Sequence, residues 1–159
     1  MEKTPEVDEN TFCEQASELL AGIIQRMGYE GLKVQSQMED ERILLDIVGD
    51  EERELVGKKG QTLDALQYLL ARAINSKGIK CPIVVDDGGY RERRKEALTE
   101  LAKVLLEEAT STGKTIALNP LGAHDRRVIH VALKEEPGVT THSEGDGIHK
   151  RVLVKPVQE

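Results

Sequence analysis

The sequence predicts an α+β protein of two small abutting domains. Three observations lead there. A run with apolar residues at helical spacing gives way to runs that alternate every second residue, so a helix leads into a hairpin. A Gly-Lys-Lys-Gly turn then opens a second periodic helix, with an apolar run behind it. Asp86-Asp87-Gly88-Gly89 interrupts the pattern, and a helix–strand–helix–strand–strand series follows.

Residues 1–9 lack periodicity and carry Pro5 and several acids, which predicts a disordered tail. Phe12, Ala16, Leu19, Leu20, Ile23, Ile24 and Met27 mark the buried face of the first helix. Thr11 with Glu14 has capping-box spacing, and Gly28 is the expected stop. Leu32, Val34, Ser36 and Met38 alternate with polar residues. Ile43, Leu45 and Ile47 do so again after Glu39-Asp40-Glu41, as in an antiparallel hairpin. A short helix over Glu51–Val56 leads into the loop. Leu63, Leu66, Leu70, Ala73 and Ile74 then form one side of a helix, and Cys81 to Val85 reads as a third strand entered through Pro82.

Beyond Gly89, Tyr90 to Thr112 reads as a long helix with Leu98, Leu101, Leu105 and Ala109 on its apolar side. Arg91, Arg93, Arg94 and Lys95 crowd its first turns. Thr115–Leu118 is a short strand, Ala123 to Lys134 a helix, and Val139–His142 and Ile148–Lys155 two strands around a glycine-rich loop. These boundaries give a first domain over 10–87 and a second over 90–157.

Composition narrows the function. The net charge is −7, but residues 1–50 hold 4 basic and 12 acidic side chains, residues 51–89 hold 6 and 6, and residues 90–159 hold 12 and 11. A phosphate responds to charge within a Debye length of about 8–10 Å, so a basic groove in the later segments is compatible with the acidic total. No apolar run approaches the ~20 residues of a membrane helix, and the polar, acidic start carries no signal peptide. Cys13 and Cys81, the only cysteines, are expected to be reduced thiols in a cytoplasmic protein. With no Trp and one Phe, a multi-aromatic stacking platform cannot be built.

Gly57, Lys58, Lys59 and Gly60 form the first candidate site. Two glycines let a foreign backbone approach closely. The next helix aims its free N–H groups at the turn, and the lysines add charge where an anion would sit. The second site lies on the helix from Ala123. At about 100° per residue, His130 falls near 40° from Arg126, Lys134 near 80° and Arg127 near 100°. The apolar residues Val128, Ile129, Val131, Ala132 and Leu133 occupy the rest, which predicts a solvent-facing cationic stripe. The alternative is that Arg126 and His130 cap carbonyls or pair with Asp125 or Glu135. Arg91 and Arg94 offer a further basic surface, unless they form a solvated face with Glu partners. The four histidines do not have metal-site spacing, no hydrolase or cysteine-nucleophile motif is present, and no cofactor is expected. Gly113-Lys114-Thr115 resembles the end of a Walker A loop, but Glu108 stands where its first Gly belongs.

Gly57-Lys58-Lys59-Gly60-Gln61-Thr62-Leu63-Asp64-Ala65-Leu66-Gln67-Tyr68 resembles the loop and helix of the KH domain in the bacterial Jag (KhpB, SpoIIIJ-associated) family. Gly89-Tyr90-Arg91-Glu92-Arg93-Arg94 looks like the junction that follows it. Arg126-Arg127-Val128-Ile129-His130, with Ser143-Glu144-Gly145, looks like the Arg-xxx-His (R-three-H) domain that ends those proteins. The resemblance covers about residues 10–157. It implies a type II KH domain (α-β-β-α-α-β) followed by a small α/β domain with helices on a three-stranded sheet. Family members commonly begin with a further Jag-type domain, which this chain is expected to lack.

The resemblance also implies a non-enzymatic, cytoplasmic protein that binds single-stranded RNA, or single-stranded DNA, and acts on transcripts linked to cell elongation, division or sporulation. A small single-KH protein and a second copy of the chain are the candidate protein partners. The expected contacts are Gly57 to Gly60, Arg126, Arg127, His130, Arg91 and Arg94, with Ile43 or Leu63 accepting bases. Partial protonation of His130 would strengthen binding below pH ~6.5. The alternative is a protein-interaction module with weak nucleic-acid binding.

Overall fold

The structure is a computed structural model, and it describes residues 9–51, 53–76, 78 and 81–157. The chain divides into two compact units, Met1–Arg91 and Glu92–Glu159.

The first unit runs α1 (Glu9–Arg26), β1 (Lys33–Glu39), β2 (Arg42–Val48), two short 3-10 turns at Glu54–Val56 and Lys58–Gly60, α2 (Gln61–Asn75) and β3 (Ile83–Asp87). The α-β-β-α-α-β order expected of a type II KH domain is present, with the 3-10 turns in place of the short second helix. Of the tail predicted at residues 1–9, residues 1–8 lie outside the described residues, and Glu9 is helical instead. Glu9 already belongs to α1, so Thr11 sits inside the helix and does not cap it. Apolar periodicity defines which face is buried but does not mark where the first turn begins.

The sheet order is β1-β2-β3, antiparallel between β1 and β2 and parallel between β2 and β3. Asp40 and Glu41, both at positive φ, make the two-residue hairpin turn. Along β2, Ile43, Leu45 and Ile47 are buried and alternate with half-buried Leu44 and Asp46, so one face of the sheet carries the core. Ala16, Leu20 and Ile24 of α1 and Leu63, Leu66, Leu70 and Ile74 of α2 pack onto that face with Ile83 and Val85. Each fully buried Leu or Ile contributes about 1.5–3 kcal/mol. Ile43 and Leu63 are both completely buried. The expectation that they receive nucleobases is therefore overturned: both belong to the core cluster of this unit and offer no surface.

The second unit takes up α3 (Tyr90–Thr112) from Glu92. It continues with β4 (Ile116–Ala117), α4 (Ala123–Ala132), β5 (Val139–Glu144), a 3-10 turn at Gly147–His149, and β6 (Arg151–Pro156). The sheet order is β4-β6-β5, all antiparallel. Leu98, Ala102, Leu105 and Ala109 of α3 and Ile129 of α4 meet Val139, Val152 and Val154 in one core. Three side chains depart from the predicted faces, among them Met27, which lies just past the end of α1 and is 45% exposed. Leu101 is 40% exposed and Ala102 takes its place; Val131, at the margin of the apolar arc, is 63% exposed.

Candidate nucleic-acid interface

In the first unit, the carboxylate of Asp50 accepts the N–H groups of Glu54 (3.3 Å) and Leu55 (2.9 Å), which nucleates the first 3-10 turn. Leu55 and Val56 are buried and pin it to the core. The chain then reverses through Gly57 (φ 67°), Lys59 (φ 56°) and Gly60 (φ 82°). A lysine in the left-handed region costs of order 1 kcal/mol, so the surrounding structure holds it there. Lys58 and Lys59 are exposed, and among the described residues no side chain caps the first turn of α2.

The two glycines answer to internal packing as well as to φ. A Cβ on Gly57 would overlap Thr62 Oγ1, and a Cβ on Gly60 would stand 2.9 Å from Tyr90 Cε1. Gly60 is buried, so only the Gly57–Lys59 part of the turn is open to a ligand.

Arg91 is placed differently from the expectation of a free basic surface. Its Nε donates to the Val85 carbonyl (2.7 Å), and its terminal nitrogens reach Asp64 Oδ1 (3.0 Å) and Gln67 Oε1 (3.1 Å). This guanidinium is committed to holding α2 against the end of β3.

Near the same strand end, Arg53 donates to the Asp87 carbonyl (2.6 Å) and to Asp87 Oδ1 (2.7 Å). Asp87 is 1% exposed, and its Oδ2 has no hydrogen-bond partner among the described residues. Burial first, then hydrogen bonding and charge from Asp50, push its carboxyl up to about 6; Arg53 opposes this and Asp46 adds to it. A proton shared with Asp50 would give the orphaned oxygen a partner.

In the second unit, Arg94 donates through Nε (3.2 Å) and a terminal nitrogen (2.7 Å) to Asp125 Oδ2. Asp125 is buried, so this pair ties α3 to α4, and Arg94 is likewise not a free cation. The neighbouring Lys95 pairs with Glu92 at 3.3 Å, as a solvated face would.

The predicted Arg-Arg-His-Lys stripe divides in three. Arg126 donates to the Leu121 carbonyl at 2.7 Å, the capping alternative. His130 faces β5, with Nδ1 2.7 Å from Thr141 Oγ1 and Nε2 2.8 Å from Ser143 Oγ. Arg127 and Lys134 are exposed; Lys134 has a loose 3.9 Å pair with Glu135, and Arg127 has no acidic partner among the described residues.

Burial lowers the His130 pKa from its ordinary value, and the charges of Arg126 and His142 lower it further. The lowered pKa moves any gain in binding from His130 protonation to a lower pH than the expected ~6.5. His130 is a bridge between α4 and β5, and Arg127 is the open cation of this surface.

Sequence reasoning did not find Tyr90 behind Gly60, the Asp64–Gln67–Arg91 set, or the two hydroxyls that hold His130. Thr141 and Ser143 had a signal. They share the inward side of β5 with Val139, where an apolar residue would otherwise stand. Among the described residues no group of His, Cys, Asp and Glu is arranged to hold a metal, Cys13 and Cys81 form no disulfide, and no helix is long and apolar enough to cross a membrane.

A lysine-bearing Gly-x-x-Gly turn on a three-stranded α+β unit, followed by a unit whose α4 carries Arg-xxx-His, defines a two-module protein that joins a KH domain to an R-three-H domain. The KhpA/KhpB KH domain family model matches residues 17–85, and the R-three-H domain model matches 96–156. The RNA-binding protein KhpB of Clostridium symbiosum is 32% identical over 94% of this chain and 68% of its own length. Its namesake in Lactiplantibacillus plantarum is 40% identical over 63% of this chain and 31% of its own. That of Bacillus subtilis is 35% identical over 68% and 53%. The chain belongs to the KhpB family. It spans about half or less of the latter two relatives.

Proposed function

We propose that this chain binds single-stranded RNA, with the Gly57–Gly60 turn as the principal clamp on the phosphate backbone. The observation that carries the reading is the turn itself. Two adjacent exposed lysines, one held in the left-handed region, stand on the uncapped start of α2. Lysine charge and oriented amide N–H groups at one point suit a phosphodiester and need no particular base. The relatives' shared description as RNA-binding proteins supports the same reading. Arg127 provides the second unit's phosphate contact. The protein acts by binding, without catalysis, in the cytoplasm. Its transcripts serve cell elongation, division or sporulation.

The test is Lys58→Asp with Lys59→Asp in the full chain, read by fluorescence anisotropy on a labelled single-stranded RNA at low salt. Affinity should fall at least about tenfold and the salt dependence should flatten, since fewer phosphates are neutralised. Unchanged affinity with an unchanged salt slope would remove the clamp.

A second reading has one observation in its favour. Tyr68 (64% exposed) and Leu69 (55%) stand together on the outer side of α2, an apolar pair suited to another protein, a small single-KH chain or a second copy. Loss of a protein partner on Tyr68→Ser with Leu69→Ser, with RNA affinity retained, would favour it.

A further inference from the structure

We infer that Tyr90 and Arg91 are positioning residues of the RNA clamp, so that the clamp extends past the KH segment proper. This rests on the reading of the Gly57–Gly60 turn as the RNA site. The two residues fall between the matched segments, after residue 85 and before residue 96, yet they belong to the first compact unit, which ends at Arg91.

Their contacts converge on the turn and the helix that carries it. The Tyr90 ring packs against the first unit's core and stands behind Gly60: a Cβ there would lie 2.9 Å from Cε1 and 3.5 Å from the hydroxyl oxygen. The ring thus forms a wall that limits where the end of the turn can go. Arg91 holds the next element. It joins Asp64 and Gln67, in the first two turns of α2, to the Val85 carbonyl on β3. Gln67 Oε1 closes the loop by accepting the Val85 N–H at 3.1 Å, and Asp86 Oδ1 accepts the Arg91 N–H at 3.1 Å.

Two consequences follow for an arriving phosphate. The first is geometric. A turn with three residues at positive φ is held by its surroundings, and a clamp already in its bound shape loses less conformational freedom on binding. The second is electrostatic. Asp64 lies in the first turn of α2, close in sequence to Lys58 and Lys59, and its side chain is 55% exposed. Unpaired, it would repel the anion the lysines attract; paired with Arg91 at 3.0 Å, its charge is offset.

The test uses the full chain and a labelled single-stranded RNA of mixed sequence. The variants are Tyr90→Phe, Tyr90→Ala, Arg91→Ala, and Arg91→Ala with Asp64→Asn. Tyr90→Phe keeps the ring that forms the wall and should bind more tightly than Tyr90→Ala. Tyr90→Ala and Arg91→Ala should each weaken binding roughly three- to tenfold with the salt slope retained, because the lysines still neutralise the same phosphates. Adding Asp64→Asn to Arg91→Ala should recover a large part of the loss.

Parent-like affinity in both Tyr90→Ala and Arg91→Ala would overturn the proposal. So would a loss in Arg91→Ala accompanied by a salt slope smaller by about one, which would make Arg91 itself a phosphate contact. If thermal melting shows Tyr90→Ala to be unfolded, the two Arg91 variants decide alone. The Lys58→Asp, Lys59→Asp chain separates the two levels. If it binds normally, the RNA site lies elsewhere and the clamp reading falls together with this one. If it fails to bind while Tyr90→Ala and Arg91→Ala bind normally, only the positioning role falls.

Discussion

Replacing Arg94 by Met should destabilise the second unit while leaving its RNA contact intact. The wild-type guanidinium puts two N–H groups on one oxygen of Asp125, at 2.7 and 3.2 Å. The carboxylate side chain is 8% exposed and the arginine 25%. Removing one partner of a buried pair costs about 3–5 kcal/mol, because a desolvated charge is left uncompensated. Water still reaches a quarter of Arg94, so a loss of about 2–3 kcal/mol is expected after allowing for solvent screening. At about 4–8 °C per kcal/mol for a unit of this size, the melting point of the second unit should fall by roughly 10–20 °C. Tyrosine fluorescence would miss this, since Tyr29, Tyr68 and Tyr90 all lie in the first unit. Hydrogen-exchange mass spectrometry in rising urea, read on peptides from α3 and α4, resolves it. Arg94→Met with Asp125→Leu should regain much of the loss, as apolar replacement of a buried pair often does. Below the transition, RNA affinity should equal the parent's. Unchanged urea resistance in those peptides would refute the buried-pair reasoning, and weakened RNA binding by folded Arg94→Met would restore Arg94 as a contact.

Three further outcomes follow from single residues. Lys59→Gly relieves the left-handed backbone at φ 56° and should stabilise the first unit by about 0.5–1 kcal/mol in urea titration, while RNA affinity drops through the lost charge. His130 should show a nuclear magnetic resonance titration midpoint below 6.5. Its folded pKa is depressed, so the unfolded chain binds the extra proton first; its stabilisation is complete above pH 6.5 and declines as pH falls below it. RNA affinity should accordingly be flat from pH 6.5 to 8 as far as this residue is concerned. For Asp87 the sign reverses. Its carboxyl is pushed up to about 6, so the folded chain holds the proton more tightly, and stability falls as pH rises from about 4 to 6 and then levels off. Asp87→Asn should therefore gain stability relative to the parent at pH 8, and the gain should vanish near pH 4; a pH-independent difference in urea midpoints would contradict this.

The elements were legible because their signals are local. A two-residue period marked Ile43, Leu45 and Ile47, and a helical period marked Leu63, Leu66, Leu70 and Ile74, each needing only neighbours in sequence. The same logic failed at edges. Thr11 looked like a cap because capping-box spacing recurs inside helices. Leu101 and Val131 looked buried because an apolar residue at the margin of a stripe reads the same whether or not anything covers it. Ile43 and Leu63 occupy inward positions of the same periodic patterns, so the core has a stronger claim on them than a base-binding groove.

What the sequence determined by itself was the order of helices and strands, most of the inward faces, and the position of the Gly-Lys-Lys-Gly turn. What the tertiary structure decided was which other charges remain available. Arg91 meets Asp64 across 27 positions, Arg94 meets Asp125 across 31, and His130 meets Ser143 across 13. The physical reason is that a side chain's charge is written in its own residue type, whereas its availability depends on a partner that only folding brings within hydrogen-bond distance.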